Sequence, residues 1–252
     1  MTTGLLKVNT GNANGVGKAG TITVSVGSAD AGVGGDIVVS AGTTSDTTGG
    51  AISMSTGAGS TKSSGSVIVK TPDAGTLGVS GHMSFSTGTT SSGASGEIKL
   101  TTGNADNGRS GDFELRLGTS STDIGGDIIT HAGGSSIHTG GAVLIKSGEG
   151  TAKSSGAVVL RSVNSGVAGV SGSMLFATGT TSSGASGSLS LLTGAATNGK
   201  SGDILMSVGT GTLDIGGHVL VSAGGTSTLT GGHVSLSSGA GSTKSSGSVI
   251  VK

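Results

Sequence analysis

Apolar residues alternate with small or polar ones in short bursts that return at a fixed interval along this chain. Taking the Gly before each burst as an anchor, the residue two places on is apolar every time, from Leu6, Ile22, Ile37 and Ile52 through Val143, Val158 and Met174 to Val219, Val234 and Val249. The residue four places on is nearly as constant, as in Val8, Val24, Val39, Val69, Leu100, Ile145 and Leu160, with Thr130 the exception. The sixth place holds mostly small residues, among them Ala41, Thr56, Thr71, Thr87, Thr102, Ala132, Thr178 and Ala223. Apolar side chains at every second position predict half-buried strands. A Gly usually follows, as at Gly42, Gly57, Gly88, Gly103 and Gly118, and Pro72 takes that place once. A Pro fits a corner there because it offers no donor to a ladder.

The anchors run from Gly4, Gly20, Gly35, Gly50 and Gly65 to Gly247 at intervals of 15 residues, with a 16-residue step after Gly4, Gly65 and Gly156, which makes seventeen repeats. A longer period overlies this one. Gly65, Gly156 and Gly247 lie 91 residues apart, and Gly57 to Lys70 returns letter for letter as Gly239 to Lys252. Thr87 to Gly96 likewise matches Thr178 to Gly187 at the 91-residue offset, so a block of six repeats has been duplicated. Fixed periods of this kind mark a solenoid in which each repeat contacts its neighbours. Two large apolar side chains cannot offset the ordering of a whole repeat, so no repeat is expected to stand alone. The expected fold is all-β: a single parallel β-solenoid of about seventeen 15–16-residue coils, one continuous domain over residues 1–252 without obvious caps, its rungs stacked about 4.8 Å apart.

Composition narrows the choice rather than making it. With 54 Gly in 252 residues, a helix is untenable over any long segment, since each interior Gly costs roughly 1 kcal/mol against Ala. Gly-, Ser- and Thr-rich tracts are often flexible, but a charged fraction of only 10% and a mean hydropathy of +0.20 argue for order. Lys and Arg number 13 against 13 Asp and Glu, which leaves no global field to draw nucleic acid or an anionic membrane. Three Phe are the whole aromatic content, too few for base-stacking platforms. The absence of Cys removes disulfides and thiolate metal sites. Met1-Thr2-Thr3-Gly4-Leu5-Leu6-Lys7 has neither a basic nor an apolar signal region, so no export signal is read in the chain, and no apolar run reaches the length of a membrane span.

Candidate chemistry lies at the positions expected to face outward. The third place of the burst should point away from a core, yet it is apolar in Ile129, Leu144, Val159 and Leu175 on successive repeats and again in Leu205 and Leu220, with Val38, Ile68 and Ile250 elsewhere. A contiguous apolar stripe marks an interface. Both ends lack a polar cap, and an exposed edge invites pairing with another chain. Glu97, Asp112 and Asp127 occupy the first place in successive repeats. Such a column of carboxylates is a candidate Ca²⁺ site, with neutralisation by Lys99 and Arg116 as the plainer reading. Asp203, His218 and His233 form a similar column with the donor types that hold Zn²⁺ or Ni²⁺. Gly34-Gly35-Asp36 and Gly125-Gly126-Asp127 have the look of Ca²⁺-binding nonapeptides, but the 15-residue spacing is wrong for them. No Ser, His and Asp are placed as nucleophile, base and orienter. No enzyme and no cofactor are expected.

In period and composition the chain resembles the Gly/Ser/Thr-rich β-solenoid arrays of surface, adhesin-like and filament-forming proteins. That resemblance implies a structural role: a subunit or segment of a filament, extracellular fibre or surface layer, joined end to end and laterally through the apolar stripe, with copies of itself as partner and an extracellular or cell-surface location. The 15-residue period also resembles the β-solenoid antifreeze proteins, whose flat faces carry aligned Thr-x-Thr pairs. Thr56, Thr71, Thr87 and Thr102 align here, but on the inward face. A rigid face for ice or a polysaccharide is therefore the alternative expectation.

Overall fold

The computed structural model describes residues 4–252; Met1-Thr2-Thr3, part of the stretch read for an export signal, lies outside the described residues. Among the described residues there is no helix and no strand. This corrects the expected fold: the chain is not an all-β parallel β-solenoid, and its repeats are not rungs of a hydrogen-bonded ladder. The arrangement is coil-like throughout.

The reason lies in where the backbone bonds go. Every backbone–backbone hydrogen bond among the described residues closes a loop or a tight turn: Gly50 donates to the carbonyl of Gly42 at 2.9 Å, Gly65 to Gly57 at 3.0 Å, and Gly78 to Gly75 at 3.2 Å. None runs from one repeat to the equivalent residue of the next, which is the bond a solenoid needs. Two large apolar side chains per repeat, with Gly, Ser and Thr filling the remainder, leave stacked repeats little to bury against the entropy of ordering them. Gly in particular gives up more backbone freedom on ordering than any other residue.

The chain falls into two units, Met1–Asp127 and Ile128–Lys252. In each, the 15-residue period survives as a series of closed loops. The anchor Gly of one repeat comes back against the sixth residue of the repeat before it. In the first unit Gly50 returns to Ala41, Gly65 to Thr56, Gly96 to Thr87 and Gly126 to Leu117; in the second Gly141 returns to Ala132, Gly187 to Thr178 and Gly217 to Val208. A Cβ added at Gly65 would stand 3.2 Å from the Thr56 Cβ, tight enough that only the smallest residue fits without movement.

The 91-residue block is reproduced down to single hydrogen bonds. Gly141 and Gly232 donate to Gly133 and Gly224 as Gly50 does to Gly42, and Gly156 and Gly247 donate to Gly148 and Gly239 as Gly65 does to Gly57. Two of the three 16-residue repeats close differently, through a four-residue turn at Gly75–Gly78 and again at Gly166–Gly169. Thr90 donates its hydroxyl to the carbonyl of Ser92 at 3.0 Å and accepts the Ser92 amide at 3.3 Å, and Thr181 repeats both bonds with Ser183 at the same distances. The Gly that follows takes a positive φ in both copies, 106° at Gly93 and 105° at Gly184.

Candidate association surface

No apolar residue is buried among the described residues, and Ala41 is the most covered of them. The chain exposes 25283 Å². A compact chain of its 23.4 kDa would expose about 9,700 Å² and a fully unfolded one about 34,000 Å². What the sequence assigned to an inward and an outward face is thus uncovered on both.

The alternation nevertheless persists as a graded exposure. Leu144 is 74% exposed between Val143 at 56% and Ile145 at 67%, and Leu175 is 84% exposed between Met174 at 49% and Phe176 at 60%. Ile129, Val159, Leu205 and Leu220 follow the same rule, each more exposed than the apolar residue before it. All six predicted interface residues belong to the second unit. Around these residues the apolar second and fourth places are the less exposed and the third place the more exposed.

The two predicted metal columns are not assembled as sites. Among the described residues no three His, Cys, Asp or Glu side chains form a group that could hold a metal ion. Asp112 instead receives one Arg109 Nη at 2.7 and 2.9 Å on its two carboxylate oxygens, and Asp203 receives the Lys200 Nζ at 2.9 Å. Arg116, read as the neighbour that neutralises the Glu97, Asp112 and Asp127 column, pairs with Glu114 at 2.7 Å. These are the three ion pairs of the described residues, and all are solvent-exposed, so each contributes at most about 1 kcal/mol. His218 and His233 stand in none of them.

Four features escaped the sequence reading. The cations beside the first-place Asp112 and Asp203 come from the loop three residues earlier, at Arg109 and Lys200, a pairing signalled by their common 91-residue offset. The sixth-place residues Val26, Leu117 and Val208 are apolar where most repeats have a small residue, and they lie against Gly35, Gly126 and Gly217. Gly59, Gly150 and Gly241 sit where a Cβ would meet backbone carbonyls, those of Lys62, Ser154 and Lys244. Arg161, Ser162, Val163 and Asn164 line an open cleft of about 330 Å³ in a 16-residue repeat; its four consecutive residues enclose a hollow in one loop with no convergent polar groups from elsewhere. Thr56, Thr71, Thr87 and Thr102, the residues considered for ice, lie against Gly65, Gly81, Gly96 and Gly111.

Among the described residues no helix is long and apolar enough to cross a membrane. No family model, no curated protein and no solved structure matches the chain.

Proposed function

We propose that this chain is a structural repeat protein that self-associates, its apolar positions being covered by other copies of itself in a filament, fibre or surface layer. One observation carries the reading: the described residues include no buried apolar side chain, while Leu, Ile, Val, Met and Phe recur at fixed places in every repeat. Uncovered apolar area on this scale marks an interaction surface. A partner with the same 15-residue spacing matches that surface along its length, and a second copy has it by construction. Balanced charge, 13 cationic against 13 anionic side chains, lets copies approach without a net repulsion. The aligned Thr residues are taken up by loop closure, so nothing here favours the ice-binding alternative.

Sedimentation over a wide concentration range, with electron microscopy of the same samples, tests this. Large regular assemblies that grow with concentration are expected. A single species of monomer mass at every concentration would overturn the proposal.

A further inference from the structure

We infer that Asn14, Asn107 and Asn198 are sites of spontaneous covalent modification, at which the amide nitrogen of the following Gly displaces ammonia from the Asn side chain and a carboxylate results. The inference concerns the polar loops between the apolar bursts and stands apart from the self-association reading.

Seven Asn occur in the chain, and at these three alone the next residue is Gly, namely Gly15, Gly108 and Gly199. Asn9, Asn12, Asn104 and Asn164 precede Thr10, Ala13, Ala105 and Ser165 instead. The distinction is steric. The reaction needs the backbone nitrogen of the following residue to swing onto the side-chain carbonyl carbon, an approach that a Cβ on that residue hinders and a Gly leaves open. Asn107-Gly108 and Asn198-Gly199 hold the same place in the 91-residue block, and the pair is unchanged although Asp106 and Arg109 beside it give way to Thr197 and Lys200.

The local structure leaves the reacting groups free. The chain bends at or just after each pair, and both residues of every pair are exposed. At Gly15, Gly108 and Gly199 nothing lies within 4 Å of the place a Cβ would take, and Gly15 holds a φ of 92°. Among the described residues no hydrogen bond engages the amide of these Gly or the side chain of these Asn. Gly65, by contrast, has given its amide proton to Gly57. An amide bonded in that way is held in place, whereas one facing water can turn and react.

The step balances with water as its one co-reactant. The Gly nitrogen loses its proton to solvent base and bonds to the Asn Cγ; the Cγ–Nδ2 bond breaks, and the side-chain nitrogen leaves as ammonia with a proton from solvent. Water then opens the resulting cyclic imide. Opening at Cγ gives Asp, and opening at the backbone carbonyl carbon gives isoaspartate, in which the chain runs on through Cγ. Either product puts a carboxylate where a neutral amide stood, so a chain of 13 cationic and 13 anionic side chains comes to carry three anions in excess. At Asn107 and Asn198 the new charge arises two residues before Arg109 and Lys200, which are already paired with Asp112 and Asp203.

The test follows the dilute full-length chain at neutral and mildly alkaline pH by isoelectric focusing and by peptide mass spectrometry with fragmentation that separates Asp from isoaspartate. Conversion at Asn14, Asn107 and Asn198 is expected on the order of tenfold or more faster than at Asn9, Asn12, Asn104 and Asn164. It should rise with pH, yield isoaspartate beside Asp, and keep pace with short peptides spanning each pair. Gly108→Ala should slow conversion at Asn107 by about tenfold or more, leave Asn14 and Asn198 unchanged, and remove one acidic step from the focused pattern. Equal rates at all seven Asn, or Asp without isoaspartate, would overturn the inference. Conversion far slower in the chain than in the peptides would overturn it too, because the loops would then hold the groups apart. None of these outcomes bears on self-association.

Discussion

Gly156 donates its amide proton to the carbonyl of Gly148 at 2.9 Å, and 91 residues on, Gly247 meets Gly239 at the same distance. The bond closes a loop within the chain instead of joining successive repeats. The repeats that close this way are thereby shaped without being covered.

The loops that close this way contain glycines with no room for a side chain. A Cβ at Gly150 would stand 2.6 Å from the Lys153 carbonyl oxygen, and the same collision arises at Gly59 and Gly241. Gly150→Ala should lower the denaturant midpoint of the assembled protein by an amount equivalent to about 1–3 kcal/mol. Gly103→Ala, where nothing lies within 4 Å, should leave it nearly unchanged. Equal midpoints for the two variants would show that the loop is not held in this form.

Gly93 and Gly184 are constrained by dihedral angle rather than by space. Both take a positive φ with nothing within 4 Å of an added Cβ, so an Ala there meets backbone strain alone, on the order of 1 kcal/mol. Gly184→Ala should destabilise the assembly modestly, and Gly184→Asn less, because Asn tolerates left-handed conformations better. Urea titration of the two variants side by side reads the difference.

Replacing the apolar third-place residues should separate positions by block. A fully buried Leu contributes about 1.5–3 kcal/mol, so Leu144→Lys is expected to reduce the association constant roughly ten- to hundred-fold or more. Ser235→Lys, at the equivalent place one block on, should cost far less because no apolar contact is lost. Analytical ultracentrifugation of both variants gives the comparison, and a larger loss for Ser235→Lys would move the contact away from Leu144.

Divalent cations should have no effect through the carboxylate column. Glu97, Asp112 and Asp127 do not converge, and Asp112 is engaged by Arg109. Calorimetric titration with Ca²⁺ is expected to show no saturable heat, and Asp112→Asn no change in it. A saturable site lost in Asp112→Asn would mean that the column assembles.

Much of the local organisation was legible in the sequence. The period of 15, the 16-residue steps and the block of 91 all reappear in the loop closures at Gly42–Gly50 and Gly166–Gly169 and their equivalents. The alternation at Val143, Leu144 and Ile145 survives as a difference in exposure. What failed was the step from alternation to a ladder. A period of two says which side chains share a face, but it names no partner for the backbone. In this chain six of the Gly residues meant to start a strand spend their amide protons on loop closure, as Gly65 does on Gly57. The ion pairs were misassigned for a related reason. Reading Arg116 as the partner of the carboxylate column assumed stacked rungs, whereas without them Asp112 is served by Arg109 in its own loop and Arg116 by Glu114.

Side-chain footprinting with hydroxyl radicals, over a dilution series that spans the onset of assembly, tests most directly whether the apolar residues are covered only between copies. Met83, Phe85, Met174 and Phe176 are all exposed in the single chain. At the lowest concentration they should react at the rate of the same residues in short peptides, and Leu144 with them, then become protected as assemblies form. Protection already complete in the dilute monomer would mean that the chain builds a core of its own, and would contradict self-association as the source of burial.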